Sequence, residues 1–149
     1  MGISHITLRV VAYDWDNLDA IKNKIYELLK GIDEKEIKIN EHKDKGLVST
    51  FLHVFEVKLS KKKHIEIFLS NLFERIGNFD DFIRNINFDE NFSVYLRIDK
   101  NSLIEKNIVN LVDSGNVFHV KISFDMYNKS REIVIKILED FYKKVIKKD

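Results

Sequence analysis

The stretch Phe92-Ser93-Val94-Tyr95-Leu96-Arg97-Ile98-Asp99-Lys100 alternates strictly between apolar and polar residues. In extended backbone successive side chains point to opposite sides, so Phe92, Val94, Leu96 and Ile98 share one face while Tyr95 and Arg97 share the other. The same period of two returns near both ends of the chain. Ile6, Leu8 and Val10 alternate with His5, Thr7 and Arg9, and Phe118, Val120, Ile122 and Phe124 alternate with His119, Lys121 and Ser123. Three strands with one apolar and one polar face predict an antiparallel sheet covered on one side only. The uncovered face is basic and aromatic. Cations that neutralise phosphates, set beside rings on which bases stack, are the chemical basis of RNA binding on an open sheet. A polar outer face is also what any half-covered sheet presents, so this pattern does not fix function by itself.

Working outward, strands are predicted near Ile3–Ala12, Glu36–Glu41, Leu47–Leu59, Phe92–Asp99, Ile108–Val112 and Val117–Phe124. In Leu47–Leu59 the buried face is ambiguous, because Phe51, Phe55, Val57 and Leu59 compete with Val48, Leu52 and Val54. The last two strands form a predicted hairpin around Asp113-Ser114-Gly115-Asn116. Apolar residues at helical spacing mark three longer helices. They run from near Asp16 to Lys30, from Ser60 to before Gly77, and from near Ser130 onward, with a short helix at Asp80–Asn85 and one turn at Asn101–Glu105. Asp14 or Asp16 is the expected cap of the first helix and Ser60 that of the second. Helices interleaved with strand pairs give an α+β class: two layers, a mostly antiparallel sheet with helices packed on one face. Residues 1–149 are expected to form a single domain, large enough to fold without a disulfide or metal staple.

Composition narrows the functions. Without cysteine there is no thiol nucleophile, disulfide or thiolate-bound zinc. Glycine occurs only at positions 2, 31, 46, 77 and 115, which leaves no place for a P-loop or a dinucleotide-binding fingerprint. The five histidines lack the paired helical spacing of a zinc protease. Asp80-Asp81 and Asp89-Glu90 are adjacent carboxylates whose ordinary work is to close a helix start and a turn. The expectation is therefore no catalytic residue, no metal and no cofactor. With 25 Lys plus Arg against 24 Asp plus Glu, an anionic partner has to be held by a local patch, since the net charge is +1. No apolar run approaches the roughly 20 residues needed to cross a bilayer, so no membrane association is expected and the protein reads as cytoplasmic.

Ile3-Ser4-His5-Ile6-Thr7-Leu8-Arg9, and above all Asp89-Glu90 followed by Tyr95-Leu96-Arg97-Ile98-Asp99-Lys100, resemble an archaeal family described as RNA-binding and provisionally linked to the RNA-degrading exosome. The resemblance spans nearly the whole chain. It implies a two-layer fold like that of a ribosomal-RNA-binding ribosomal protein, and RNA binding without catalysis, with subunits of an RNA-processing complex as further partners. The chain departs from the family after its first strand, where Tyr13-Asp14-Trp15-Asp16-Asn17 replaces Thr-Glu-Asp. It departs again after Asp99-Lys100, where Asn101-Ser102 replaces Gln-Ala.

The candidate RNA contacts are Arg9, Arg97, Lys100 and Lys121 for phosphates and Tyr95 for base stacking. In the 97–100 cluster, Asp99 either orients a cation or caps the following turn. Lys61, Lys62 and Lys63 are a second candidate: three cations at a helix start oppose its dipole unless an anion meets them. A solvated lysine run is the plainer reading of the same residues. Trp15 stands in a polar junction, either stacking on a partner or covering the helix start. The alternative to RNA binding is an assembly module that uses the open face or an edge strand.

Overall fold

The computed structural model describes residues 2–44 and 52–147. Its six strands are β1 (Gly2–Ala12), β2 (Asn40–Asp44), β3 (Leu52–Leu59), β4 (Asn87–Phe88), β5 (Val94–Asp99) and β6 (Val117–Asp125). They form one sheet in the order β2-β3-β1-β6-β5-β4, with every pair antiparallel. The helices are α1 (Leu18–Leu28), α2 (Lys62–Phe73), α3 (Phe79–Arg84), α4 (Lys100–Lys106) and α5 (Arg131–Lys147), with a single 3-10 turn at Glu34–Glu36. Among the described residues, no helix is long and apolar enough to cross a membrane.

The alternation places the core. Ile6, Leu8 and Val10 of β1, Phe118, Val120 and Ile122 of β6, and Val94, Leu96 and Ile98 of β5 are all buried in one cluster. Against them lie Ile21, Ile25 and Leu28 of α1, Ile65, Phe68, Leu69 and Leu72 of α2, and Val134 and Leu138 of α5. In β3 the phase that faces this core is Phe55, Val57 and Leu59. Val54, in the opposite phase, is also buried but stands outside the core cluster.

Five local expectations are corrected. The strand expected at Glu36–Glu41 is displaced: Asp33 caps the 3-10 turn by accepting from the Lys35 amide at 3.1 Å, and β2 begins only at Asn40. His42, Lys43 and Asp44, expected in a turn, are strand residues, while the rest of that turn and the first residues of the expected long strand lie outside the described residues. β2 is exposed throughout and rich in charge, as suits an edge strand that must not recruit another chain. The α1 cap is Asn17, whose side chain accepts from the Ala20 amide at 3.1 Å, because Asp16 is engaged elsewhere. The α2 cap position is Lys61 rather than Ser60, and it makes no side-chain capping bond.

The fifth correction concerns the hairpin. Residues 108–112 do not pair with β6. Instead the Asp99 amide donates to the Asn110 carbonyl at 2.8 Å and the Val112 amide to the Arg97 carbonyl at 2.9 Å, so this segment lies on the outer edge of β5, beyond the two pairs made by β4. Residues 113–116 then cross the end of β5, where the Lys100 amide meets the Asn116 carbonyl at 3.0 Å, and β6 takes the inner edge. Extended propensity was legible in Ile108–Val112; the identity of its partner strand depended on this crossing.

Asp89 shapes the turn into β5. Its carboxylate accepts from the Asn91 and Ser93 amides at 2.9 and 2.8 Å, and Phe92 takes a left-handed φ of 58°. A bulky residue in that region costs roughly 1–2 kcal/mol, which the packing of the Phe92 ring against the core offsets. Gly31 follows α1 at φ 112°, and a Cβ there would stand 3.2 Å from Ile67, so both conformation and space require glycine.

Candidate nucleic-acid interface

Cross-strand register assembles the open face into rows, since directly opposed residues point to the same side. One row runs Asn40, Glu56, Arg9, His119, Arg97 across β2, β3, β1, β6 and β5. The adjacent row runs Lys58, Thr7, Lys121, Tyr95, Asn87 from β3 to β4. His5 and Ser123 stand opposite each other beyond Thr7 and Lys121. These rows carry four cations, two histidines and one tyrosine, with Glu56 as the acidic member beside Arg9, and the same phase of β2 adds His42 and Asp44 at the edge. Lys58 and Glu56 were not singled out from sequence, because the phase of β3 was ambiguous; choosing Phe55, Val57 and Leu59 as the inner set would have placed both outside.

Arg9 and Lys58 are exposed, and Arg97, Lys121 and Tyr95 are half-buried. Among the described residues, the side chains of Arg9, Lys58 and Arg97 make no ion pair or hydrogen bond, which leaves their charge available to an anion. Lys121 lies over the Tyr95 ring, its ammonium 5.4 Å from the centroid. A base stacking on Tyr95 has to use the opposite ring face or displace that ammonium.

The histidines report the field of this surface. Burial, and then Arg97 and Arg9, pull the His119 pKa below 6.5. His5, whose Nδ1 lies 3.1 Å from the Ser4 hydroxyl, is lowered first by burial and then by Lys58 and Lys121. The surroundings of both rings therefore favour the neutral form. Two opposite pH dependences follow. A depressed histidine pKa contributes stability that is complete above about pH 6.5 and is lost as pH falls through the folded-state value. A phosphate bound among the same cations is expected to offset their part of the shift, though not the part due to burial, and so to favour proton uptake by His5 and His119. Acidification from pH 7.5 to 5.5 is expected to lower the unfolding temperature while tightening binding of a uridine oligonucleotide, by up to about tenfold per pH unit for each proton taken up. Calorimetry in buffers of different ionisation enthalpy measures that uptake; binding with no proton uptake below pH 6.5 would contradict it.

Lys100 is corrected. It is 2% exposed, and its ammonium donates to the Val11 carbonyl at 2.7 Å and to Asp16 Oδ2 at 3.0 Å, with the Tyr13 ring centroid at 5.4 Å. It faces inward as α4 begins, with its ammonium already held by the protein's own groups. Asp99 caps α4, accepting from the Ser102 amide at 3.0 Å and the Ser102 hydroxyl at 2.7 Å. The lysine run is likewise not part of the open face, because α2 belongs to the helical layer. Lys61 is 2.7 Å from Glu36, which also lies 3.1 Å from His64 Nε2, so the anion that meets this helix start is the protein's own carboxylate. Lys62 and Lys63 are exposed beside it.

The carboxylate pairs have local work. Asn78, not Asp80, caps α3 by accepting from the Asp81 amide, and the Asp81 carboxylate pairs with Arg84. Among the described residues, no group of three or more His, Asp or Glu side chains is placed to hold a metal ion.

A family described as RNA binding matches residues 5–124, from β1 through most of β6. The chain belongs to this RNA-binding family. No curated protein shows significant similarity to it. Solved structures share the fold: a DUF54 protein from Methanothermobacter thermautotrophicus aligns at a TM-score of 0.72 and 19% identity over 95% of this chain and 99% of its own. A DUF54 protein from Sulfolobus solfataricus gives 0.70 and 20% over 97% and 99%. A UPF0201 protein from Methanococcus jannaschii gives 0.64 and 16% over 93% and 98%. Five of the six strands begin within the family's matched region, and β1 starts three residues before it.

Proposed function

We propose that this chain is a non-catalytic RNA-binding protein that holds the sugar–phosphate backbone on the uncovered face of its sheet. The observation that carries this reading is the convergence of Arg9, Arg97, Lys58 and Lys121, from four different strands, on one face with few competing carboxylates. Membership of the RNA-binding family supports it. Arg9, Arg97 and Lys121 supply phosphate contacts and Tyr95 a stacking ring, with Lys58 added to the set. A binder of this kind serves as an accessory in RNA processing or ribosome biogenesis, in a single-domain, cytoplasmic protein, and any RNA cleavage in its company belongs to a partner. The assembly alternative is less well supported. β2 offers a short, charged edge, and the open face is cationic where a subunit interface would need apolar area.

A mobility shift with labelled RNA across a salt series tests the reading. Phosphate-driven binding is expected to weaken linearly in log–log form, with a slope of about 0.7 per phosphate contacted on a single strand. Salt-independent retention would favour an apolar contact instead. The same RNA incubated with magnesium or manganese is expected to stay intact. Cleavage that disappears when Asp80, Asp81, Asp89 and Glu90 are replaced would overturn the non-catalytic part.

A further inference from the structure

The turn between β1 and α1 contains the sole tryptophan of the chain. Trp15 is 60% exposed, yet its indole stacks on Tyr13 with ring centroids 4.8 Å apart and planes 4° from parallel. An indole with one face against another ring and most of its surface still in water must present its second face to solvent. Neither ring packs against the hydrophobic core among the described residues, so burial does not account for the pair.

The turn is nonetheless fixed. The Asp16 amide donates to the Tyr13 carbonyl at 3.0 Å, and the Tyr13 amide donates to Asp16 Oδ2 at 2.8 Å. The same carboxylate oxygen is held by buried Lys100, whose ammonium lies against Tyr13. The result is a stack closed at one end and open at the other: ammonium, phenol, indole, solvent. Tyr13 directly follows Ala12, the last residue of β1, the strand whose residues His5, Thr7, Arg9 and Val11 face the open side of the sheet. Four residues of extended chain put it about 13 Å beyond Arg9.

We propose that Tyr13 and Trp15 form a preorganised stacking platform that receives an unpaired base of RNA lying along β1, which makes single-stranded RNA the preferred ligand. This rests on the RNA-binding reading above and adds a site to it. Aromatic faces capture bases with little sequence preference, and only bases free of a duplex can reach them. A rigid pair of rings loses little conformational freedom when the base arrives.

Because Trp15 is the sole tryptophan, its emission reports on this site alone. The test titrates the protein with a fluorescein-labelled single-stranded uridine or adenosine 12-mer, follows anisotropy for total binding, and in parallel uses the unlabelled oligonucleotide to follow indole emission. Inorganic polyphosphate, which has charge and no base, competes for the cationic face. Expected are quenching that saturates with the anisotropy, no quenching by polyphosphate, and weaker quenching by a duplex of the same sequence. Trp15→Ala should weaken single-strand binding by about 5- to 100-fold without changing its salt slope, and Trp15→Phe should restore most of the loss. Binding seen by anisotropy with unchanged indole emission, or equal quenching by polyphosphate, overturns the platform while leaving RNA binding standing. No binding by anisotropy overturns both.

Discussion

Lys100→Met is expected to lower the unfolding free energy by about 3–5 kcal/mol, because it leaves the Asp16 carboxylate and the Val11 carbonyl without their buried cation. For a chain of this size that is a fall of roughly 10 °C in the unfolding temperature. Asp16→Asn should destabilise by the complementary route, stranding the ammonium of a residue that is 2% exposed. Replacing both with apolar residues should recover part of the loss, since no unpaired charge then remains. RNA binding measured well below the lowered transition should keep its salt slope. A Lys100→Met protein of native stability that bound RNA more weakly would return Lys100 to the set of phosphate contacts.

The combined variant Arg9→Ala, Arg97→Ala, Lys121→Ala is expected to do the reverse. These side chains take no part in the core, and substitutions at such positions usually change stability within about 0.5 kcal/mol each. Loss of three phosphate contacts should flatten the salt slope by about 2 and weaken single-stranded RNA binding about 100-fold near 0.1 M salt. Tyr95→Ala should cost about 1–3 kcal/mol of binding with the slope unchanged, which separates stacking from charge. Lys62→Ala and Lys63→Ala, on the helical layer, should leave the slope as it is. Chemical unfolding and filter binding measure the two quantities independently. Unaltered affinity in the triple variant would reject the open face as the binding surface.

The two expectations differ in how far each residue's role could be read locally. Arg9, Arg97 and Lys121 sit in strands whose alternation is complete, so a period of two was sufficient to put them outside. Lys100 occupies a strand-to-helix junction, where neither period applies. Its burial is set by Asp16, which is 84 positions earlier and is brought into place only by the packing of the β1–α1 turn against α4. Glu36 and Lys61 repeat the lesson: a lysine run beside a helix start reads as an empty anion site until a distant carboxylate is folded onto it. Residues 108–112 are a third case, extended as their composition suggests, but paired with β5 through hydrogen bonds that no local turn signal announces. Trp15 was conspicuous in the sequence, whereas its parallel stack on Tyr13 required the turn geometry fixed by Asp16.

The place of β1 in the sheet governs how the chain emerges during synthesis. β1 is central, with β3 on one side and β6 on the other, and Gly2 lies opposite Asp125. The β3 edge is filled once residues 52–59 have been made, whereas the β6 edge waits until residues 117–125 follow. Until then Ile6, Leu8 and Val10 form part of an apolar ledge bordered by unsatisfied backbone donors and acceptors, a template on which a neighbouring nascent chain could add a strand. The late arrival of β6 makes that association a competitor of folding on polysomes, and Arg9 of β1 and Lys58 of the adjoining β3 oppose it by repulsion between identical copies.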